Sequence, residues 1–140
     1  MAYKVLIVDD DGTIRDSIAE YLASFGYSTD TAENAKSAIA MMHTARYDFV
    51  IMEVNLPSCS GEYSGRYLLN HIHYRYPGIK IIVVTGDLSI ETGLEAIYLG
   101  ASYWFTKPLS LAVLQNRISL LISMENVRSL SQKQGKGHSI

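Results

Sequence analysis

The 140-residue chain carries 12 Lys and Arg against 14 Asp and Glu, a formal net charge of −2, and 48% of its residues are apolar. That size fits one domain with a sizeable core, and the composition is that of an ordinary globular protein. The near-neutral balance without a basic block argues against direct nucleic acid binding, no apolar run is long enough to span a membrane, and the single cysteine, Cys59, excludes an intramolecular disulfide.

The N-terminus, Met-Ala-Tyr-Lys-Val-Leu-Ile-Val, reads as a first strand and not as a signal peptide. A cytoplasmic location is therefore expected. Val5 to Val8 is a short β-branched run that stops at Asp9-Asp10-Asp11-Gly12, a strand followed by an acidic turn. Ile14, Ile18, Leu22 and Phe25 recur at helical spacing and predict a helix over 13–25, stopped by Gly26. Tyr27 to Thr31 can form a second strand. Asn34 is a candidate cap for a second helix with Ala35, Ala38, Ile39 and Met42 inside.

Phe49 to Met52 predicts a buried third strand that delivers Glu53 to its carboxyl end, followed by a turn marked by Pro57 and Gly61. Arg66 to Tyr76 predicts a third helix with Leu68, Leu69 and Ile72 inward, ended by Pro77-Gly78. Ile79 to Val84 is an apolar fourth strand leading to Thr85. Ser89 caps a fourth helix carrying Ile90, Leu94 and Ile97, stopped by Gly100. Ser102 to Thr106 predicts a fifth strand leading to Lys107-Pro108. Leu111, Leu114, Ile118 and Leu121 line a fifth helix running past Met124. Ser129 to Ile140 is polar and reads as a tail or linker, so the expected division is a domain over 1–124 and, over 125–140, the helix end plus that tail.

Strands and helices alternate five times. The pattern predicts an α/β fold, a single doubly wound five-stranded parallel sheet flanked by five helices. Sites in such folds lie at the carboxyl ends of the strands. Collected there are Asp9, Asp10 and Asp11, Glu53, Thr85 and Lys107. Each alone has a plainer reading, as a turn-forming acid, a strand residue or a loop lysine. Together they combine a carboxylate cluster, whose repulsion a hard cation such as Mg²⁺ offsets, with a lysine and a hydroxyl suited to a phosphoryl group. His71 and His73, two apart on one helix, make a poor metal pair. His43 and His138 read as surface residues, and Met41-Met42 as core.

Val8-Asp9-Asp10, an acidic residue on strand three followed four on by Pro57 and eight on by Gly61, Val84-Thr85-Gly86, and Phe105-Thr106-Lys107-Pro108 occur in that order. With these motifs, residues 4 to about 124 resemble the receiver domain of two-component response regulators. The resemblance implies a flavodoxin-like receiver fold with strand order 2-1-3-4-5. It implies a signalling module and not an enzyme, with Mg²⁺ held by Asp9, Asp10, the residue at position 53 and the backbone carbonyl of Asn55. Thr85 would hydrogen-bond the phosphoryl group, Lys107 would pair with it, and the Lys107–Pro108 bond would be cis. Thr85 and the aromatic at position 104 would form the switch. A sensor histidine kinase or phosphotransfer protein would be the partner, with an output domain or downstream protein beyond. A homodimer through the helix 4–strand 5–helix 5 face, with Tyr98, Tyr103 and Trp104, is also implied.

One departure stands out. Receivers normally carry Asp where this chain has Glu53, and that Asp accepts the phosphoryl group. Glu is one methylene longer, and displacing a nucleophile by that much can cost ~100-fold or more in rate. Glu53 is therefore expected to be a poor acceptor that reaches toward Lys107 or the metal and partly imitates a phosphorylated Asp. The imitation is incomplete, since a phosphoryl group has more charge and three oxygens. An atypical native receiver and an Asp→Glu change that mimics activation both account for it. The long turn Gly61-Glu-Tyr-Ser-Gly65 and Trp104, where receivers carry Tyr or Phe, lean toward the native reading.

Asp9-Asp10-Asp11-Gly12-Thr13 also resembles the first motif of haloacid-dehalogenase-type phosphatases. There Asp9 would be the nucleophile, Asp11 the general acid/base and Lys107 a phosphate-orienting residue. That family needs further metal-binding acids after the lysine, and here only Glu125 follows. A degenerate receiver serving only as an interaction module is a further alternative. A flavin or nucleotide site lacks the Gly-rich loop after strand one.

Overall fold

The computed structural model describes residues 2–57 and 63–137. Cys59 and Gly61, and with them part of the long turn, lie outside the described residues, as does His138. The chain divides into two compact units, 1–108 and 109–140. The first holds β1 (Lys4–Val8), α1 (Gly12–Ser24), β2 (Ser28–Ala32), α2 (Ala35–Thr44) and β3 (Phe49–Met52). It continues with α3 (Gly65–Arg75), β4 (Lys80–Thr85), α4 (Ile90–Tyr98) and β5 (Tyr103–Thr106). The second holds α5 (Leu111–Gly137).

All strand pairings are parallel, and the order is β2-β1-β3-β4-β5. The three inner strands are the apolar runs of the sequence. A strand buried on both faces can carry apolar residues at every position. The edge strands are less buried, with Thr29 to Thr31 of β2 and Tyr103 to Phe105 of β5 half-exposed. Alternation divides the sheet into two faces. Leu6, Val8, Val50, Met52, Ile81 and Val83 join one core with Ala38 and Met42 of α2, Leu68, Leu69 and Ile72 of α3, and Ala96 of α4. On α1, Ile18 and Leu22 are buried, whereas Phe25 is the C-cap residue, 52% exposed against Tyr21.

Helix starts follow side-chain capping. Asp11 caps α1, Asn34 caps α2, Ser64 caps α3 and Ser89 caps α4, each accepting a first-turn backbone N–H. Gly26 and Gly100 follow the ends of α1 and α4 with φ of 92° and 121°, the left-handed conformation that glycine adopts without strain.

Two expectations change. Ile90, Leu94 and Ile97 of α4 face solvent, at 66%, 58% and 40% exposure, while Thr92, Gly93 and Ala96 are buried. The small residues face inward because the indole of Trp104 fills the space beside Gly93, where any Cβ would collide with it. Second, α5 continues to Gly137, so 129–137, read as the start of a tail, is helical. On α5, Leu114 and Ile118 are buried, as the spacing predicts.

Candidate functional site

The sheet ladder continues one residue past β1, β3 and β5. Asp9 N–H donates to the Ala32 carbonyl, Glu53 N–H to that of Val8 and Lys107 N–H to that of Thr85. Asp9, Glu53 and Lys107 are thereby held at one edge by backbone bonds before any side chain acts. Asp9 and Glu53 are buried, at 3% and 6% exposure, and Thr85 is fully buried. Burying charge is unfavourable unless it is paired and hydrogen-bonded.

The pairing is supplied by Lys107. Its Nζ lies 2.9 Å from Asp9 Oδ2 and 3.2 Å from Glu53 Oε1. Glu53 Oε2 accepts the Asn55 N–H at 3.1 Å, and Oε1 also accepts the Gly86 N–H at 3.3 Å. Burial works to raise the Glu53 pKa. The Asn55 N–H, the Thr85 hydroxyl, the Lys107 charge and the Gly86 N–H outweigh it and hold the carboxyl below its ordinary value. Burial likewise works against the charged form of Lys107, but hydrogen bonding and attraction from Asp9 and then Glu53 push its pKa up. Charge is thus favoured on both partners. Thr85 also accepts the Asp87 N–H at 3.2 Å, and the Lys107–Pro108 peptide is cis.

Asp9 Oδ1 accepts the Asp11 N–H at 2.9 Å, which shapes the acidic turn. Asp10 stands exposed at the rim. Asp11 uses Oδ1 to accept the N–H groups of Thr13 and Ile14, at 3.0 and 3.3 Å. That is a capping role, and it does not favour Asp11 as the acid/base of a phosphatase. Trp104 packs half-buried against the core and Gly93, and Tyr98 is 88% exposed.

The oxygen donors match a magnesium ion in kind, since Mg²⁺ is bound by one or two carboxylates and keeps several waters. Asp9 and Asp10 are adjacent at the edge, and the Asn55 carbonyl belongs to the loop bonded to Glu53. Among the described residues, no three His, Cys, Asp or Glu side chains are gathered closely enough to form a cage. Both Glu53 oxygens are already hydrogen-bonded.

Two arginines absent from the sequence-based site border it. Arg15 Nη1 donates to the Asp9 carbonyl at 2.8 Å. Arg66 Nη1 donates to Asn55 Oδ1 at 3.1 Å, and its Nε pairs with Glu95 of α4. The position of Arg15 on the first turn of the helix after the acidic strand end was a usable signal. Arg66 had none, because its partners lie 11 and 29 residues away. Among the described residues, no helix is long and apolar enough to cross a membrane.

A family model for the response regulator receiver domain matches residues 5–119. The transcriptional regulatory protein PmrA of Pectobacterium parmentieri is 30% identical over 132 residues, covering 94% of this chain and 57% of that protein. The response regulator protein FleR of Pseudomonas aeruginosa is 28% identical over 119 residues, covering 85% of this chain and 24% of that protein. This chain thus spans from about a quarter to somewhat over half of these relatives. A CheY-like receiver domain from Methanospirillum hungatei superposes with a TM-score of 0.82 at 28% identity, covering 91% of this chain and 99% of that one. With its strand order and its motifs at the strand ends, the chain belongs to the response regulator receiver domain family, signalling modules of two-component systems.

Proposed function

We propose that this receiver is a poor phosphoryl acceptor in which Glu53 partly stands for a phosphorylated Asp. The contact between Glu53 Oε1 and Lys107 Nζ at 3.2 Å carries the reading. Lys107 is the residue that the family pairs with the phosphoryl group, and here it is paired with the longer carboxylate. The other oxygen, Oε2, is bonded to the Asn55 N–H. Accepting a phosphoryl group requires a carboxylate oxygen to attack phosphorus in line while the donor's atom leaves, the imidazole nitrogen of a phosphohistidine or the acetate oxygen of acetyl phosphate. An oxygen that must first give up a lysine or an N–H is a hindered nucleophile, and one already displaced by a methylene is poorly aligned.

In this reading Asp9, Asp10 and the Asn55 carbonyl hold Mg²⁺, with Glu53 a weaker contributor. The ion would offset negative charge between the carboxylates and an incoming phosphoryl group. Thr85 and Lys107 would receive that group, and Trp104 would respond to Thr85. The donor would be a histidine kinase or phosphotransfer protein, and the response would pass to an output domain or downstream protein. The exposed α4 face with Leu94, Ile97 and Tyr98 supports self-association as part of that response. Sedimentation should show concentration-dependent dimers that Leu94→Glu abolishes; a monomer at all concentrations removes this part.

The test of the whole reading is intact mass after incubation with acetyl phosphate and Mg²⁺, beside a Glu53→Asp variant. One added phosphoryl mass in the variant alone is expected. Addition to the unchanged chain would overturn the claim about Glu53. Addition to neither would favour a degenerate receiver that acts only as an interaction module.

A further inference from the structure

Glu53 connects to α4 by a route that does not pass through Thr85 or Trp104. Glu53 Oε2 accepts the Asn55 N–H at 3.1 Å. Asn55 Oδ1 in turn accepts Arg66 Nη1–H at 3.1 Å. The same guanidinium places Nε on Glu95 Oε1, in the middle of α4. Arg66 therefore holds the loop after β3 with one edge of its fork and α4 with another. Lysine, a single point charge, cannot reproduce that geometry.

The base of Arg66 is fixed. Gly65 lies so close to Val54 that an added Cβ would collide with the Val54 backbone carbonyl. The first turn of α3 is thereby seated on the loop that carries Asn55, and Ser64 caps it by accepting the Tyr67 N–H at 3.0 Å. A shift of that loop carries Arg66 with it. The far end is also defined. Glu95 neighbours Ala96, which packs in the core, and Leu94, which faces solvent. The Arg66 charge also acts on Asp87, which accepts the Ser89 N–H at 2.9 Å and the Thr92 hydroxyl at 2.6 Å at the start of α4.

We propose that Arg66 is a positioning residue that couples the chemical state of the carboxylate at position 53 to the placement of α4 and its exposed apolar face. A change in charge or occupancy at position 53 alters the demand on the Asn55 N–H. Asn55 then shifts, and the guanidinium redistributes between Asn55 and Glu95. The inference rests on the reading of Glu53 as the residue at the acceptor position. Arg66 and Glu95 have side chains 42% and 47% exposed, so the coupling is expected to be modest.

The test is amide hydrogen exchange over 90–98 in the intact chain, for the parent, Glu53→Gln, Arg66→Gln and the double variant. Glu53→Gln removes the charge and keeps the shape. It is expected to change α4 exchange by about two- to fivefold, the range that an exposed ion pair supplies. With Arg66→Gln, that response should vanish. A purely structural Arg66 would shift the baseline of α4 and leave the response to Glu53→Gln intact, which would overturn the proposal. No response in the parent would overturn it as well. Glu95→Gln breaks the link from the α4 side without touching the loop, and the same loss is expected if Arg66→Gln is too unstable to measure. Arg66→Lys should restore less than half of the response; full restoration would mean that charge alone suffices and the two-sided fork is not used. Failure of the reading of Glu53 has a separate signature, phosphoryl uptake by the unchanged chain, which exchange over α4 does not report.

Discussion

Gly93 of α4 and Trp104 of β5 are in such close contact that no side chain can be added to the glycine without displacing the indole. Helix and strand are matched here by the smallest residue against the largest. The exposed side of α4 follows from the match, because turning Leu94 or Ile97 inward would require the space that Trp104 occupies.

Gly93→Ala therefore sets two effects against each other. Alanine improves helix propensity by about 1 kcal/mol, while overpacking costs about 1–3 kcal/mol. A net loss of ~1 kcal/mol is expected, together with a shift in the emission of Trp104, the only tryptophan in the chain. Urea unfolding followed by fluorescence measures both. Unchanged emission and undiminished stability would mean that the indole is not held by α4.

Lys107 neutralises two buried carboxylates. Lys107→Met keeps the length of the side chain and removes the charge. Breaking a buried pair costs about 3–5 kcal/mol; with Lys107 19% exposed, about 2 kcal/mol is expected. The pH dependence should change as well. In the parent the Glu53 pKa is depressed, so its stabilisation is complete above the ordinary value of 4.5 and is lost as pH falls through the lower folded value. Glu53→Gln should flatten that acid limb. In Lys107→Met one of the groups that lower the Glu53 pKa is gone, so the depression is smaller and the acid limb should flatten in part. Denaturation across pH 3.5–7 reads both variants, and parallel curves for all three chains would contradict the assignment.

His71 is held between Tyr67, near-parallel at 6.0 Å, and Tyr76, edge-on at 6.2 Å, and its Nε2 is buried with no hydrogen-bond partner among the described residues. Burial first, then the charges of Arg75 and His43, push its pKa below the ordinary 6.5. The unfolded chain then takes up this proton before the folded one does. Stability is complete above about 6.5 and declines as pH falls from there toward the folded value. His71→Phe keeps the ring stacking and should remove that part of the decline between about pH 7 and 5.5. A thermal or urea series over that range decides it, and an identical slope in both proteins would rule out His71.

Much of the fold and the heart of the site are legible in the chain because they depend on local pattern. Val5 to Val8, Phe49 to Met52 and Ile81 to Val84 are apolar runs that lead to Asp9, Glu53 and Thr85, and a parallel sheet brings those ends to one edge whatever surrounds them. Asn34 and Ser89 announce their helices because a cap needs only the next three residues. What the tertiary structure decided depends on size and reach across the chain. Hydropathy spacing records which residues of α4 are apolar, not which are small enough to lie against Trp104, so Gly93 and Ala96 face inward and Leu94 faces out. The pairing of Lys107 with Asp9 and Glu53 spans 98 and 54 residues, and its distances exist only once the sheet has formed. Arg66 is one more arginine in the sequence; it joins Asn55 to Glu95 because Gly65 seats the start of α3 on the loop that follows Glu53.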